Sequence, residues 1–295
     1  MLTISTDHLL QPVSFNHNFR TTTDVLRLDK VHPLISGNKW FKLKRYLEHA
    51  KELGKTAVLT FGGPFSNHII ATAAAAKEFE LKSIGVIRGE QNVISYTLQD
   101  AHDAGMQLYF ISREAYNTRA VPDEVFAVYK RDDVYMIDQG GYGELGRKGA
   151  EEILRIVDTS AYTHIIAAVA TGTTLAALAT ASGENQKVIG ISVMKNNLSL
   201  AAEIKSLIVG NKDFELLHDY HFGGFAKYNE ALIAFINDFF RQNNVPTDFV
   251  YTGKLFYAVE DLLQKNFFPD GSKILIVHSG GLQGNRSLGN RTLIF

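Results

Sequence analysis

From Thr56 onward the chain repeats one pattern: an apolar run of strand length, a turn, then an amphipathic or alanine-rich run of helix length. Strand candidates lie at Thr56 to Phe61, Ile84 to Arg88, Leu108 to Ile111 and Val134 to Ile137, with helices expected from Ser66 to Lys77, Ser95 to Ala104 and Val121 to Arg131. After the turn Gln139-Gly140-Gly141-Tyr142-Gly143 the pattern starts again. A helix is expected around Lys148 to Val157, then strand His164 to Val169, helix Leu175 to Ala181, strand Val188 to Val193 and helix Leu198 to Ile208. Helices at Asn229 to Asn243 and Leu255 to Gln264 and a strand at Lys273 to His278 complete it. Such alternation argues for parallel strands joined by helical crossovers, in a sheet covered on both faces. The expectation is an α/β protein of two parallel-sheet domains with helices on both faces, joined near residue 140. Residues 1 to about 35, with a strand candidate at Asp24 to Leu28, read as a lead-in.

At 295 residues and 45% hydrophobic composition the chain can bury a sizeable core. The formal charge is -1, from 30 basic and 31 acidic side chains, with no long run of like charge. Neither a nucleic-acid surface nor a membrane surface is expected as partner. The chain has no cysteine, so disulfides, thiolate metal sites and cysteine nucleophiles are excluded. Ten histidines include no pair at ligand spacing beside a carboxylate, so no metal is expected. The start, Met1 to Asp7, has neither a basic nor an apolar leader region, and no run is long enough to span a membrane. The expected location is the cytoplasm.

Two stretches carry candidate chemistry. Ser36-Gly37-Asn38-Lys39 opens a helix whose Trp40, Leu43, Leu47 and Ala50 share a face. A helix start disfavours cations, yet this one carries Lys39, Lys42, Lys44 and Arg45. Either these side chains reach water, or an anionic group lies nearby and Lys39 is a partly neutral, nucleophilic amine. Ala170-Thr171-Gly172-Thr173-Thr174 lies between an apolar strand and a helix, where amide N–H groups and hydroxyls can receive an anion. It is neither a P-loop nor a Gly-x-Gly-x-x-Gly turn. Taken singly, Lys39 reads as a surface lysine and Ser66-Asn67 as a helix cap.

The order of the motifs says more. Ser36-Gly37-Asn38-Lys39, Gly62-Gly63 with Ser66-Asn67-His68, Gly140-Gly141, Thr171 to Thr174, Val250-Tyr251-Thr252-Gly253-Lys254 and His278-Ser279-Gly280-Gly281 follow one another. In this the chain resembles the pyridoxal-phosphate enzymes of the 1-aminocyclopropane-1-carboxylate deaminase and D-cysteine desulfhydrase family, from about Asp24 to Gly281. The resemblance implies a tryptophan-synthase-β-like fold with the cofactor in the interdomain cleft. Residues 1–42 plus 141–295 would form the larger, cofactor-binding domain and 43–140 a smaller inserted one. It further implies pyridoxal 5'-phosphate as cofactor, a small amino acid as substrate and a homodimer.

Carried over position by position, Lys39 resembles the lysine that holds the cofactor as a Schiff base, and Asn67 the amide on the ring hydroxyl. Ser66 resembles the hydroxyl beside the substrate carboxylate. Thr171, Gly172, Thr173 and Thr174 resemble the phosphate cradle, and Tyr251 a residue near the substrate. Thr252 and Ser279 stand at the ring-nitrogen side. The family pattern is broken in three places: Phe65 replaces a glutamine, Phe225 an active-site tyrosine, and Thr252 and Ser279 a glutamate and a leucine of the deaminase branch. Neutral hydroxyls at the ring nitrogen supply no charge, which suits α,β-elimination better than opening a cyclopropane ring. The expected activity is therefore desulfhydrase-like release of pyruvate and ammonia, with Lys39, Ser66 and Tyr251 catalytic. The rivals are ring-opening deamination, a homologue that binds without turnover, and a phosphate or nucleotide binder without pyridoxal phosphate.

Overall fold

The structure, a computed structural model, describes residues 8–16, 20–89, 94–289 and 292–295. The leader stretch Met1 to Asp7 lies outside the described residues. Along the chain the elements are β1 (Leu10–Pro12), β2 (Thr22–Arg27), α1 (Asn38–Glu52), β3 (Ala57–Gly62), α2 (Asn67–Glu78), β4 (Lys82–Arg88), α3 (Tyr96–Asp103) and β5 (Met106–Ile111). Then come α4 (Arg113–Asn117), α5 (Asp123–Val128), β6 (Val134–Ile137), α6 (Glu144–Ala150), β7 (His164–Val169), α7 (Thr173–Ala181) and β8 (Lys187–Ser192). The last are α8 (Leu200–Leu207), β9 (Glu215–Leu217), α9 (Glu230–Asn243), α10 (Thr252–Gln264) and β10 (Lys273–His278).

Two compact units result, one from residues 1–32, 36–38 and 150–295, the other from 33–35 and 39–149. The second unit is wider at both ends than the inserted segment 43–140 expected above. The reason is a close approach of backbones: a Cβ on Gly149 would stand 2.0 Å from the Phe41 carbonyl oxygen, so the start of α1 and the end of α6 belong together. Among the described residues no helix is long and apolar enough to cross a membrane.

The first unit carries six strands in the order β1-β2-β10-β7-β8-β9, parallel except for the antiparallel edge pair β1 and β2. Its side-chain alternation covers both faces. Ile189 and Ile191 join Ile166, Ile274 and Ile276 under Leu255, Phe256 and Val259 of α10, while Gly190 between them lets Leu175 of α7 approach from the other side. The second unit carries the parallel order β5-β4-β3-β6. Ala57, Leu59, Phe61, Ile84 and Val86 pack with Tyr116 of α4 and Val125 of α5; Ile87 and Met106 pack with Ile69 and Ala73 of α2 and Leu98 of α3. Both sheets are thus parallel layers between helices, as expected, and strand runs buried on both faces explain their near-continuous apolar sequence.

Two helices differ from the sequence reading. The run Val121 to Arg131 is helical only over α5, because Tyr129 turns extended (φ -117°, ψ 136°). The helix expected from Lys148 begins at Glu144 and tightens into a 3-10 turn, Glu151–Arg155.

Candidate active site

In the first unit, β7 ends in the turn Thr171-Gly172, where Gly172 takes φ +80° and opens α7 without a side-chain cap. The N-cap residue therefore supplies no side-chain oxygen to the first amides of α7. Thr173 is fully buried, and its Oγ1 has no hydrogen-bond partner among the described residues. A buried hydroxyl without a partner is costly. Together these groups fit a phosphate, which would accept from the amides and from Thr173. The neighbouring Thr174 Oγ1 accepts from Asn38 Nδ2 at 2.8 Å.

That bond sets the residue before Lys39 against the cradle. The same stretch lies on the turn after β10: Asn38 N donates to the Ser279 carbonyl at 3.2 Å, and a Cβ on Gly37, at φ +71°, would stand 1.7 Å from that oxygen. Only glycine permits this approach. Ser279 thus spends its carbonyl on Asn38, and its half-buried side chain remains for other use.

Tyr251 and Thr252 are organised by Asp248, which is fully buried. Asp248 Oδ2 accepts from the amides of Val250 and Tyr251, both at 2.8 Å, and Oδ1 from the Thr252 amide at 2.9 Å and hydroxyl at 2.7 Å. Burial pushes the Asp248 carboxyl above its ordinary value, against these donors. The Thr252 hydroxyl also accepts from the Asp248 amide at 2.8 Å. Thr252 is thus buried as the first residue of α10, with its proton given to Asp248 Oδ1 and one of its two lone pairs taken by the Asp248 amide. Tyr251 packs edge-on against Phe225, ring centres 5.7 Å apart. Burial, with the Asp248 charge second, pushes the Tyr251 phenol above its ordinary value, so it is a proton donor at neutral pH.

In the second unit, Lys39 is half-buried and no acidic residue stands in the first turn of α1. Lys42, one turn on, is buried with Nζ 3.2 Å from the Gly140 carbonyl. Burial holds the Lys42 amine well below the usual lysine range, and the Lys39 charge adds to this. His68 is buried in the same neighbourhood: a Cβ on Gly141 would lie 3.3 Å from Lys42 Cβ and 3.9 Å from His68 Cε1. A helix start with this many basic groups and no acid favours an anionic ligand. Ser66 occupies the N-cap position of α2, yet its side chain makes no capping bond. The bland reading of Ser66 as a cap therefore leaves its hydroxyl unexplained. Asn67 is the first residue of α2.

Asn38, the cradle Thr171 to Thr174 and Ser279 are brought together in the first unit; Lys39, Lys42 and His68 are neighbours in the second. Asp248 escaped the sequence reading, as did the burial of Lys42 and Lys254, which the motifs named without it. An aspartate four residues before the threonine of a helix start is a capping signal that could have revealed the first. Among the described residues no three His, Asp or Glu side chains converge as metal ligands.

A parallel α/β fold whose strand-to-helix turn presents a buried, unpartnered hydroxyl and is tied to the residue before a lysine has the features that a phosphate-bearing cofactor requires. The chain belongs to the pyridoxal-phosphate dependent enzyme family, whose model matches residues 16–280. Its cofactor is pyridoxal 5'-phosphate, and the chemistry is of the lyase and deaminase type. A putative 1-aminocyclopropane-1-carboxylate deaminase of Pyrococcus horikoshii is 28% identical over 277 residues, covering 88% of this chain and 84% of the relative. The bifunctional D-cysteine desulfhydrase/1-aminocyclopropane-1-carboxylate deaminase of Arabidopsis thaliana is 27% identical over 283 residues, covering 85% and 70%. A crystal structure of an ACC deaminase homologue superposes with a TM-score of 0.79 at 28% identity, covering 90% of this chain and 86% of that one.

Proposed function

We propose that the chain removes the β-substituent of a small amino acid, D-cysteine or a close analogue, by α,β-elimination that ends in pyruvate and ammonia. Bound pyridoxal phosphate supplies the electron sink that makes the substrate α-proton removable. Lys39 holds the cofactor and moves that proton. Thr171, Gly172, Thr173 and Thr174 hold the phosphate, Asn67 the ring hydroxyl, and Thr252 and Ser279 offer neutral hydroxyls to the ring nitrogen. Ser66, whose hydroxyl is not used for capping, binds the substrate carboxylate, and the protonated Tyr251 donates to the substrate. The protein works as a cytoplasmic homodimer.

The observation that carries the elimination reading is the Asp248 cap. The Asp248 carboxylate takes its hydrogen bonds from residues 250–252, and Thr252 and Ser279 offer the ring nitrogen hydroxyls without charge. Held by neutral hydroxyls, the cofactor would supply a shallower electron sink, which would favour substrates that expel a leaving group promptly. A second reading, ring-opening deamination of 1-aminocyclopropane-1-carboxylate, is favoured by the names of the relatives. Measuring kcat/KM for 1-aminocyclopropane-1-carboxylate, D-cysteine, L-cysteine and β-chloro-D-alanine under one set of conditions separates them. The expected result is a preference of about tenfold or more, 1.4 kcal/mol in the barrier, for β-chloro-D-alanine and D-cysteine over the cyclopropane. A clear preference for the cyclopropane overturns it, and no turnover of any of the four by cofactor-loaded protein points to a homologue that binds without turnover.

A further inference from the structure

Lys254 lies on α10, three residues past Tyr251, and is fully buried. A buried ammonium requires acceptors. Those it has are the carbonyls of His221 and Gly224, each 2.8 Å from Nζ. Burial lowers its amine to about 8, against the favourable charge of Asp248, so it remains largely protonated at neutral pH. The turn it binds has little regular structure of its own. Phe222 and Ala226 take positive φ, 51° and 54°, as do Gly223 and Gly224 at 93° and 123°. Side chains rarely adopt that region, and it persists where surrounding contacts impose it. Three rings leave this segment: Phe222 meets Tyr257 at 4.9 Å, Tyr228 meets Phe249 at 5.1 Å, and Phe225 meets Tyr251 at 5.7 Å. Phe225 is nonetheless 49% exposed, a large apolar surface left beside the Tyr251 phenol.

We propose that Lys254 is a positioning residue: it clamps the His221-to-Gly224 turn so that Phe225 stands against Tyr251 and limits the size of the β-substituent a substrate can carry. The inference rests on the assignment of Tyr251 to the substrate made above, and it adds the determinant of leaving-group size.

The test uses the cofactor-loaded protein and two readouts. The first is the rate of native tryptic cleavage after Lys227, which is exposed in the same segment. Lys254→Met and Gly224→Ala are each expected to speed that cleavage roughly tenfold or more, the first by removing the clamp and the second by distorting the carbonyl it holds. If Lys254→Met does not fold, Gly224→Ala alone decides. Cleavage at the wild-type rate overturns the clamp. The second readout is the ratio of kcat/KM for S-phenyl-D-cysteine to that for β-chloro-D-alanine. Lys254→Met and Phe225→Ala should each raise it by about fivefold or more, and the double variant should raise it no further than Phe225→Ala alone. A merely structural lysine would lower both substrates equally, and an unchanged ratio overturns the positioning role. If the wild-type protein turns over neither substrate, the elimination reading fails, while the cleavage rates still decide the clamp.

Discussion

His68 shows how a single buried side chain makes this protein sensitive to acid. Its Nε2 lies 2.9 Å from Thr60 Oγ1, and that hydroxyl donates to the Ile137 carbonyl at 2.7 Å. Thr60 must therefore accept, so the imidazole is the neutral tautomer protonated on Nε2. Burial keeps it well below the usual histidine range, with the charges of Lys39 and Lys42 adding to this against a backbone contact to Asp138. Below pH 6.5 the unfolded chain takes up a proton that the folded chain refuses, so stability rises with pH in that window and is lost on acidification. The slope is at most about 1.4 kcal/mol per pH unit from this group. Urea unfolding of wild type and His68→Gln between pH 5 and 7.5 should show the wild type losing stability more steeply below pH 6.5; parallel curves would contradict the assignment. The positions of Lys39, Ser66 and Asn67 at the openings of α1 and α2 were legible from sequence, because a capping residue precedes each helical run. The engagement of Thr252 was not, since the partner that claims its hydroxyl, Asp248, lies in a stretch that reads as loop.

Among the elements, the strands with continuous apolar runs were the most legible: β6, β7 and β10 run from Val134, His164 and Lys273 as expected. Short edge strands were hidden. Pairs of three residues, such as β1 on β2, have no room to display an alternation. The early start of α6 was masked by its glycines, Gly146 and Gly149, which lower helix propensity but let backbones touch: a Cβ on Gly146 would come within 2.1 Å of the Gly141 carbonyl. Gly37 belongs to the same class and yields a test. At φ +71° and with Ser279 O in the space of its Cβ, Gly37→Ala must separate the 36–38 stretch from the turn after β10. The expected cost is about 3 kcal/mol or more, with weakened cofactor retention, because the Asn38 bond to Thr174 depends on that placement. Urea unfolding and cofactor titration check it, and a variant with the wild-type midpoint would show that the approach is easily relaxed.

For the whole molecule, alternation of strands and helices was enough to predict two parallel layers. It could not reveal that β2 and β10, from opposite ends of the chain, pair along six residues, because register between distant segments leaves no local trace. The functional account likewise depends on distant pieces, since it requires the half-buried Lys39 to take the cofactor although Lys42 and Lys254 are the buried amines with lowered proton affinity. The most direct measurement is borohydride reduction of the cofactor-loaded protein, followed by proteolysis and mass mapping of the pyridoxyl label. The account predicts a single label on Lys39, abolished in Lys39→Ala while some cofactor is still retained through the Thr171-to-Thr174 cradle. A label on Lys42, Lys254 or any other lysine would contradict it.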